Sequence, residues 1–371
     1  VELLVVIAII GIVAGISIPA VMRALNAARN FEMVNEVSLL ADAVEKYNTA
    51  YGDYPPDGSS YPLFERHCRK VFPQILATEL ALFNPASRDP SVTIQVRTDS
   101  EPLDPGDERV MEPYEALVLF LGGLSDDPQR PFTGTGGPLI ATGNAAVPFQ
   151  YNPSRQNPMY EFNASQLTTE VINIGGNSYT ISNDETRFSM PDGDLDDPQA
   201  DPRDCLPGFM GAGEALPLVY FDSRTYGSIK SSGAYYFVRN TFYTGSATTP
   251  ADCARPYKSD IQETAKSSTN PVQNQDLRYK YMNDKTFQII GPGLTDTYGA
   301  LGSTEVLPNG EEVPDLTDLG ELPGLHSFPS GDGRLNATGM IRFNYTSIPS
   351  GSNPQLDNVT NFGKGSLNEG Q

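Results

Sequence analysis

The sequence predicts an α+β fold, in which one N-terminal helix of about fifty residues packs on an antiparallel β-sheet, with long loop-rich insertions. Three observations point there. An apolar run at the N-terminus passes without a break into an amphipathic helical pattern that ends at Tyr51. Short aromatic and β-branched stretches gather after residue 217, as strands of one sheet do. Between these regions, much of the chain's 31 prolines and 34 glycines punctuate it into turns and loops. The organisation that follows is a helix over 1–51, a loop-rich insertion region over 52–216, and a sheet core with a C-terminal segment over 217–371. Within the helix, 1–22 is apolar and 23–51 amphipathic.

From Leu3 to Met22 there is no charge. Twenty residues of helix rise about 30 Å, the thickness of the hydrocarbon layer of a bilayer. Arg23 and Arg29 follow, with Asn26 between them. Ala28, Phe31, Val34, Val37, Ala41, Val44, Tyr47 and Tyr51 then recur at spacings of three and four, an apolar stripe among Glu32, Asn35, Glu36, Asp42, Glu45 and Lys46. Gly52 supplies the C-cap, and Pro55-Pro56 forbid continuation. The amphipathic half can pack on a domain. The apolar half needs a membrane or other copies of itself. Gly11 and Gly15 permit close helix approach there. Pro19 removes one backbone hydrogen bond, so a bend or local unwinding is expected around it. Glu2 places a carboxylate at the edge of this apolar run.

In the insertion region, residues 72–83 read as helical and 91–98 as a half-buried strand. Residues 112–123 read as a short buried helix, with Pro113 in its first turn and glycines at its end. Residues 170–182 read as a hairpin turning at Gly175-Gly176-Asn177. Residues 217–223, 234–239, 286–293 and 340–347 read as strands that cover the amphipathic half of the helix.

The chemistry of the body is sparse. A formal net charge of −21 repels nucleic acid, so nucleic-acid binding by the body is not expected. His67 and His326 are the two histidines, and no nucleophile elbow, phosphate loop, zinc-protease or dinucleotide motif is present. No enzyme is predicted. His67 stands beside Cys68 in "RHCRK", which reads as a charged surface turn. The acidic stretch 191–204 opens like a calcium loop with Asp192, Asp194 and Asp196. Asp197 then replaces the required glycine and Arg203 the closing glutamate, so it reads as a solvated loop. With three cysteines, at most one intramolecular disulfide can form. Cys205 and Cys253, both in Pro/Asp-rich loop sequence, are the candidate pair, with free thiols as the alternative. Asn163, Asn336, Asn344 and Asn358 fit the N-glycosylation pattern, which is compatible with exposure outside the cell.

"VELLVVIAIIGIVAGISIPAVMRAL", with the exit "YGDYP", resembles the N-terminal segment of type IV pilins and type II secretion pseudopilins over residues 1–56. "KTFQIIGPGLTDTYGA" and "LDNVTNFGKGSL" are similar, less closely, to the C-terminal region of major-pseudopilin-like proteins, including the large planctomycete type. The resemblance implies a pilin-like fold and a structural filament subunit that polymerises through its helix. It implies a leader removed by a prepilin peptidase before Val1, with methylation of the new amine. Glu2 is then the assembly glutamate, and Gly11 and Pro19 mark where the helix loosens. Calcium, where the family holds it near the end of the sheet, maps to Asp296 with Asp357 and Asn358. The implied partners are further copies, the inner membrane before assembly, and the pilus or type II secretion machinery. The implied location is the inner membrane and then an extracellular or periplasmic filament. The alternative is a membrane-anchored adhesin or minor pseudopilin whose insert binds a ligand or secreted substrate.

Overall fold

Glu2–Tyr51 forms one helix, α1, in the computed structural model of the chain. The residues described are 2–84, 110–184, 187, 204–226, 229–232, 235–238, 242–246, 249–254, 256–262, 279–295, 298 and 359–362. α1 stays helical through Gly11, Gly15 and Pro19, so the unwinding expected at Pro19 does not occur in the single chain. The Pro19 ring faces the carbonyl four residues back. That carbonyl belongs to Gly15, which has no Cβ to restrict the local adjustment.

No described side chain before Asn30 is buried. From there one face turns inward, with Met33, Val37, Leu40, Val44 and Tyr47 buried. Ala28 and Phe31 do not belong to this face, contrary to the stripe read from the sequence, and Phe31 is 73% exposed. Phe31 precedes Leu40 by nine residues, about half a turn around the helix, so the two point opposite ways. A run of threes and fours drawn through Phe31 therefore starts on the wrong side.

Three short helices follow: α2 (Tyr61–Val71), α3 (Ala77–Ala81) and α4 (Ala116–Leu121). "RHCRK" is no surface turn but the second half of α2. Phe64, His67 and Cys68 share its buried face at three- and four-residue spacing, while Arg66, Arg69 and Lys70 face water. The helix expected over 72–83 contracts to α3, and the strand expected at 91–98 lies outside the described residues. α4 is buried along its whole length, as 112–123 predicts. Its last carbonyls are capped from a distance. The Arg155 guanidinium donates to Val118 O at 2.5 Å, to Gly123 O at 2.8 Å and to Leu119 O.

Two hairpins come next, β1 (Leu139–Asn144) with β2 (Val147–Tyr151), and β3 (Thr169–Ile174) with β4 (Asn177–Ser182). The second turns at Gly175-Gly176, both at positive φ, where the sequence places it. β5 (Val219–Asp222) opens the sheet region. β6 (Ile229–Ser232) pairs with β7 (Tyr235–Val238), β8 (Phe242–Ser246) with β9 (Thr249–Ala254), and β10 (Lys258–Gln262) with β11 (Tyr279–Tyr281). β12 (Phe287–Gly291) then lies between β5 and β13 (Val359–Thr360) in an antiparallel three-stranded sheet ordered β13-β12-β5. α1 packs on β12 and β13. The strands expected at 217–223, 234–239 and 286–293 thus contain β5, β7 and β12, while 340–347 lies outside the described residues.

The helix and sheet share one core with the 52–216 region. Val37, Leu40 and Tyr47 of α1, Phe64 of α2, Leu117 and Phe120 of α4, Phe132, Phe209 and Ile289 of β12 are one apolar cluster. The long middle region therefore interlocks with the helix and sheet in place of standing apart from them.

Two glycines test this packing. Gly123 has φ +107°, and a Cβ there would lie 2.0 Å from Gln156 O, whereas Gly143, at φ +73°, has open space around it. Gly123→Ala is expected to cost about 3 kcal/mol or more and Gly143→Ala about 1 kcal/mol. Equilibrium urea unfolding measures both, and equal losses would contradict the packing at Gly123.

Candidate functional site

Twelve large apolar side chains between Leu3 and Leu25 are exposed, from Leu3 at 75% to Leu25 at 53%. At about 1.5–3 kcal/mol for full burial of each, on the order of 20 kcal/mol favours taking this segment out of water. The helix is long and apolar enough to cross a membrane. Within it, a Cβ added at Gly11 or Gly15 would meet nothing within 4 Å. Glycine weakens a helix by about 1 kcal/mol relative to alanine. Among the described residues no packing contact requires that cost. Glu2 opens α1, and its side chain lies outside the described residues.

The other end of α1 is held by a polar clamp. Gly52, at φ +70°, donates its N–H to Asn48 O at 2.7 Å and ends the helix. Lys70 of α2 donates to Gly52 O at 2.7 Å and pairs with Asp53 at 3.3 Å. Asp53 also accepts from His67 Nδ1 at 2.9 Å and from Arg224 at 3.1 Å. With the proton on Nδ1, His67 Nε2 accepts from the Tyr47 hydroxyl at 2.8 Å. Arg224, in the turn after β5, continues to Asp222 at 2.6 Å and to Tyr54 O at 2.9 Å. Asp57 accepts from the Asp222 N–H at 3.0 Å, from Thr225 Oγ1, and from Ser59 N and Oγ. Helix, exit loop, α2 and β5 are thereby stitched at one point.

The charges in the clamp are set by burial and pairing. Partial burial pushes the Asp53 carboxyl up, but His67 and Arg224 outweigh it and hold it well below the usual carboxylate range. Burial pushes the His67 imidazole down, against the pull of Asp53. Burial pushes Asp222 up to about 6, against its bond to Arg224. His67 is 0% exposed and Asp222 1%, whereas the Asp53 and Arg224 side chains keep about a fifth of their surface open. The chemistry of the clamp is to fix how α1 leaves the body. Sequence reasoning missed all of it. The signal was present only as "YGDYPPDG", read as a helix stop, and as a histidine on the inner face of α2.

Among the described residues, one group of side chains has the spacing to hold a metal ion. Glu115, Asp184 and Asp204 are buried, and one oxygen from each lies within 4.8 Å of the others. Tyr114 donates to Asp184 at 3.1 Å, and the backbone N–H groups of Glu112 and Leu206 bind Glu115 and Asp204 at 2.6 and 3.0 Å. Burial, followed by these carboxylates, raises the Tyr114 phenol well above its ordinary range. Carboxylate oxygens of this kind suit hard cations such as Ca²⁺. Asp204 closes the acidic stretch singled out in the sequence. Glu115 and Asp184 arrive from far away in the chain, and no spacing rule connects them. Asp296, Asp357 and Asn358, the residues to which the resemblance assigns calcium, lie outside the described residues.

Of the remaining sites, Cys205 is buried in the main core, and Cys253 stands opposite Tyr243 in the β8–β9 register with its side chain outside the described residues. Asn163 is exposed and accepts from Ser165 N and Oγ at 3.1 and 3.0 Å, opening a 3-10 turn. Asn336, Asn344 and Asn358 lie outside the described residues. Compared with family models, curated proteins and solved structures, the chain matches none of them.

The clamp gives a pH signature. With its folded pKa depressed, His67 contributes stability that is complete above about pH 6.5, its ordinary value, and lost as pH falls through the folded value. Asp222, raised to about 6, acts in the opposite sense over the same range, so the His67 part must be read as a difference. The stability of the parent relative to His67→Gln is expected to fall between pH 8 and pH 5 in urea titrations. A constant difference would contradict a neutral buried His67.

Proposed function

We propose that the chain is a structural subunit of a type IV pilus-like or secretion-pseudopilus filament, held in a membrane by α1 and then polymerised through it. One observation carries this reading. Leu3 to Met22 of α1, twenty residues and about 30 Å of helix, form a charge-free apolar run in which no described side chain is buried, and in which a Cβ at either of two glycines would meet no described atom within 4 Å. A bilayer accounts for the apolar length. Other helices account for the glycines as well, because small residues let backbones approach. Glu2 fits the second solvent better than the first. A carboxylate in apolar surroundings is tolerable when an opposite charge meets it, and the N-terminal amine of a neighbouring copy supplies one. The likeness of residues 1–56 to pilins and pseudopilins supports the same assignment.

In this account the function is self-association without turnover. α1 packs with its copies at the filament axis, and the acidic body, held by the clamp, forms the outer coat. The partners are further copies of the chain, the membrane that stores it, and the machinery that extracts it.

Glu2→Ala and Glu2→Val are expected to leave the chain in the membrane fraction while cutting filament yield at least about ten-fold, since losing a buried ion pair costs several kcal/mol. Negative-stain microscopy of sheared cells, alongside membrane fractionation, reads both quantities. Normal filaments from both variants would remove Glu2 from the assembly step.

A further inference from the structure

We infer that Arg23 and Arg29 form a collar that binds the phosphate groups of anionic phospholipids where α1 leaves the bilayer. The inference rests on the reading that α1 enters a membrane. Arg23 is the first charge after the apolar run from Leu3 to Met22, whose length of about 30 Å matches the hydrocarbon layer. Arg29 follows six residues on, about 9 Å further along the axis and about 120° around it, so the two guanidiniums flank the helix on different sides. The headgroup layer is about 5–8 Å thick on each face of a bilayer. Both side chains therefore reach it, Arg23 from its inner boundary and Arg29 from above.

Both arginines are exposed, and neither has a hydrogen-bond or ion-pair partner among the described residues. Other cations of the body are engaged: Arg155 with carbonyls, Arg69 with Glu65, Lys70 and Arg224 with Asp53. The two are also the only basic residues in the first 45, and the next charges along α1 are Glu32, Glu36, Asp42 and Glu45. A planar guanidinium fork with open donors is the side chain that fits phosphate oxygens in pairs. Asn30 is the first of the described residues of α1 to be buried, so the body begins immediately above the collar. That body belongs to a chain of net charge −21, whose field repels anionic headgroups. Two cations at the junction are what allow it to rest close to them.

The test uses the full chain reconstituted in phosphatidylcholine vesicles containing phosphatidylglycerol. Electron spin resonance of spin-labelled phosphatidylglycerol and phosphatidylcholine compares how strongly each associates with the protein. The parent is expected to prefer phosphatidylglycerol, by up to roughly five-fold per arginine. The Arg23→Gln/Arg29→Gln double variant is expected to lose that preference, and Arg66→Gln, an exposed cation on α2, to keep it. Equal association of the two lipids with the parent, or a preference that survives in the double variant, overturns the collar and leaves the filament reading standing. Failure of the parent to insert into the vesicles overturns the collar together with the membrane role of α1.

Discussion

The structure depends on a length of helix that the described residues of its own chain leave uncovered. α1 is continuous over fifty residues, yet its first 28 carry no buried described side chain. Hydrophobic surface of this extent is stable only in another apolar solvent. Everything beyond Asn30 can be understood as the means of holding that surface outside the body. The inward face from Met33 to Tyr47 lies on β12, β13 and the buried helix α4, and the helix ends where three other segments seize it.

Apolar packing alone would hold α1 without fixing the direction in which it leaves. The clamp supplies direction. His67, Asp53 and Arg224 convert three separate segments into a single hydrogen-bonded object, and Asp57 ties the exit loop to β5 across 165 residues of sequence. Buried charges of this kind contribute little net stability beyond an apolar replacement, but each is costly to leave unpaired. The network therefore penalises any other arrangement of the helix end. Arg155 plays a similar part at the end of α4, where one guanidinium takes up carbonyls that the short helix cannot satisfy itself. The body is in this sense a rigid handle. The proposed filament subunit, which would present the same helix to a membrane and then to its neighbours, would need one.

Features written in local order were legible in the sequence. The extent of α1, the turn at Gly175-Gly176, the buried α4 and the strands β5, β7 and β12 follow from periodicity, glycine and proline placement, and β-branched composition. The facing of side chains was less so. Spacing alone places Phe31 on the inner stripe, three residues from Ala28 and Val34, yet the core lies half a turn away. The charge of "RHCRK" points to the surface, whereas Phe64, three residues before His67, decides which way the segment faces. The unwinding expected from Pro19 reflects the cost of the residue alone, yet α1 runs through it as helix. The apolar half of the candidate site was therefore plain from the sequence, but the clamp was not. Asp53, His67 and Arg224 are ordinary residues in unrelated stretches, and only the fold brings them together.

The body and the protruding helix thus answer to different solvents, and the junction at Arg23 to Asn30 is where one gives way to the other. The central claim is that copies of this chain satisfy the apolar half of α1 in one another. Electron cryomicroscopy of filaments sheared from cells tests it most directly. The account predicts a core of packed α1 helices, with neighbouring backbones close at Gly11 and Gly15 and the bodies on the outside. Filaments whose copies touch only through their bodies, with α1 outside the contacts, would contradict it.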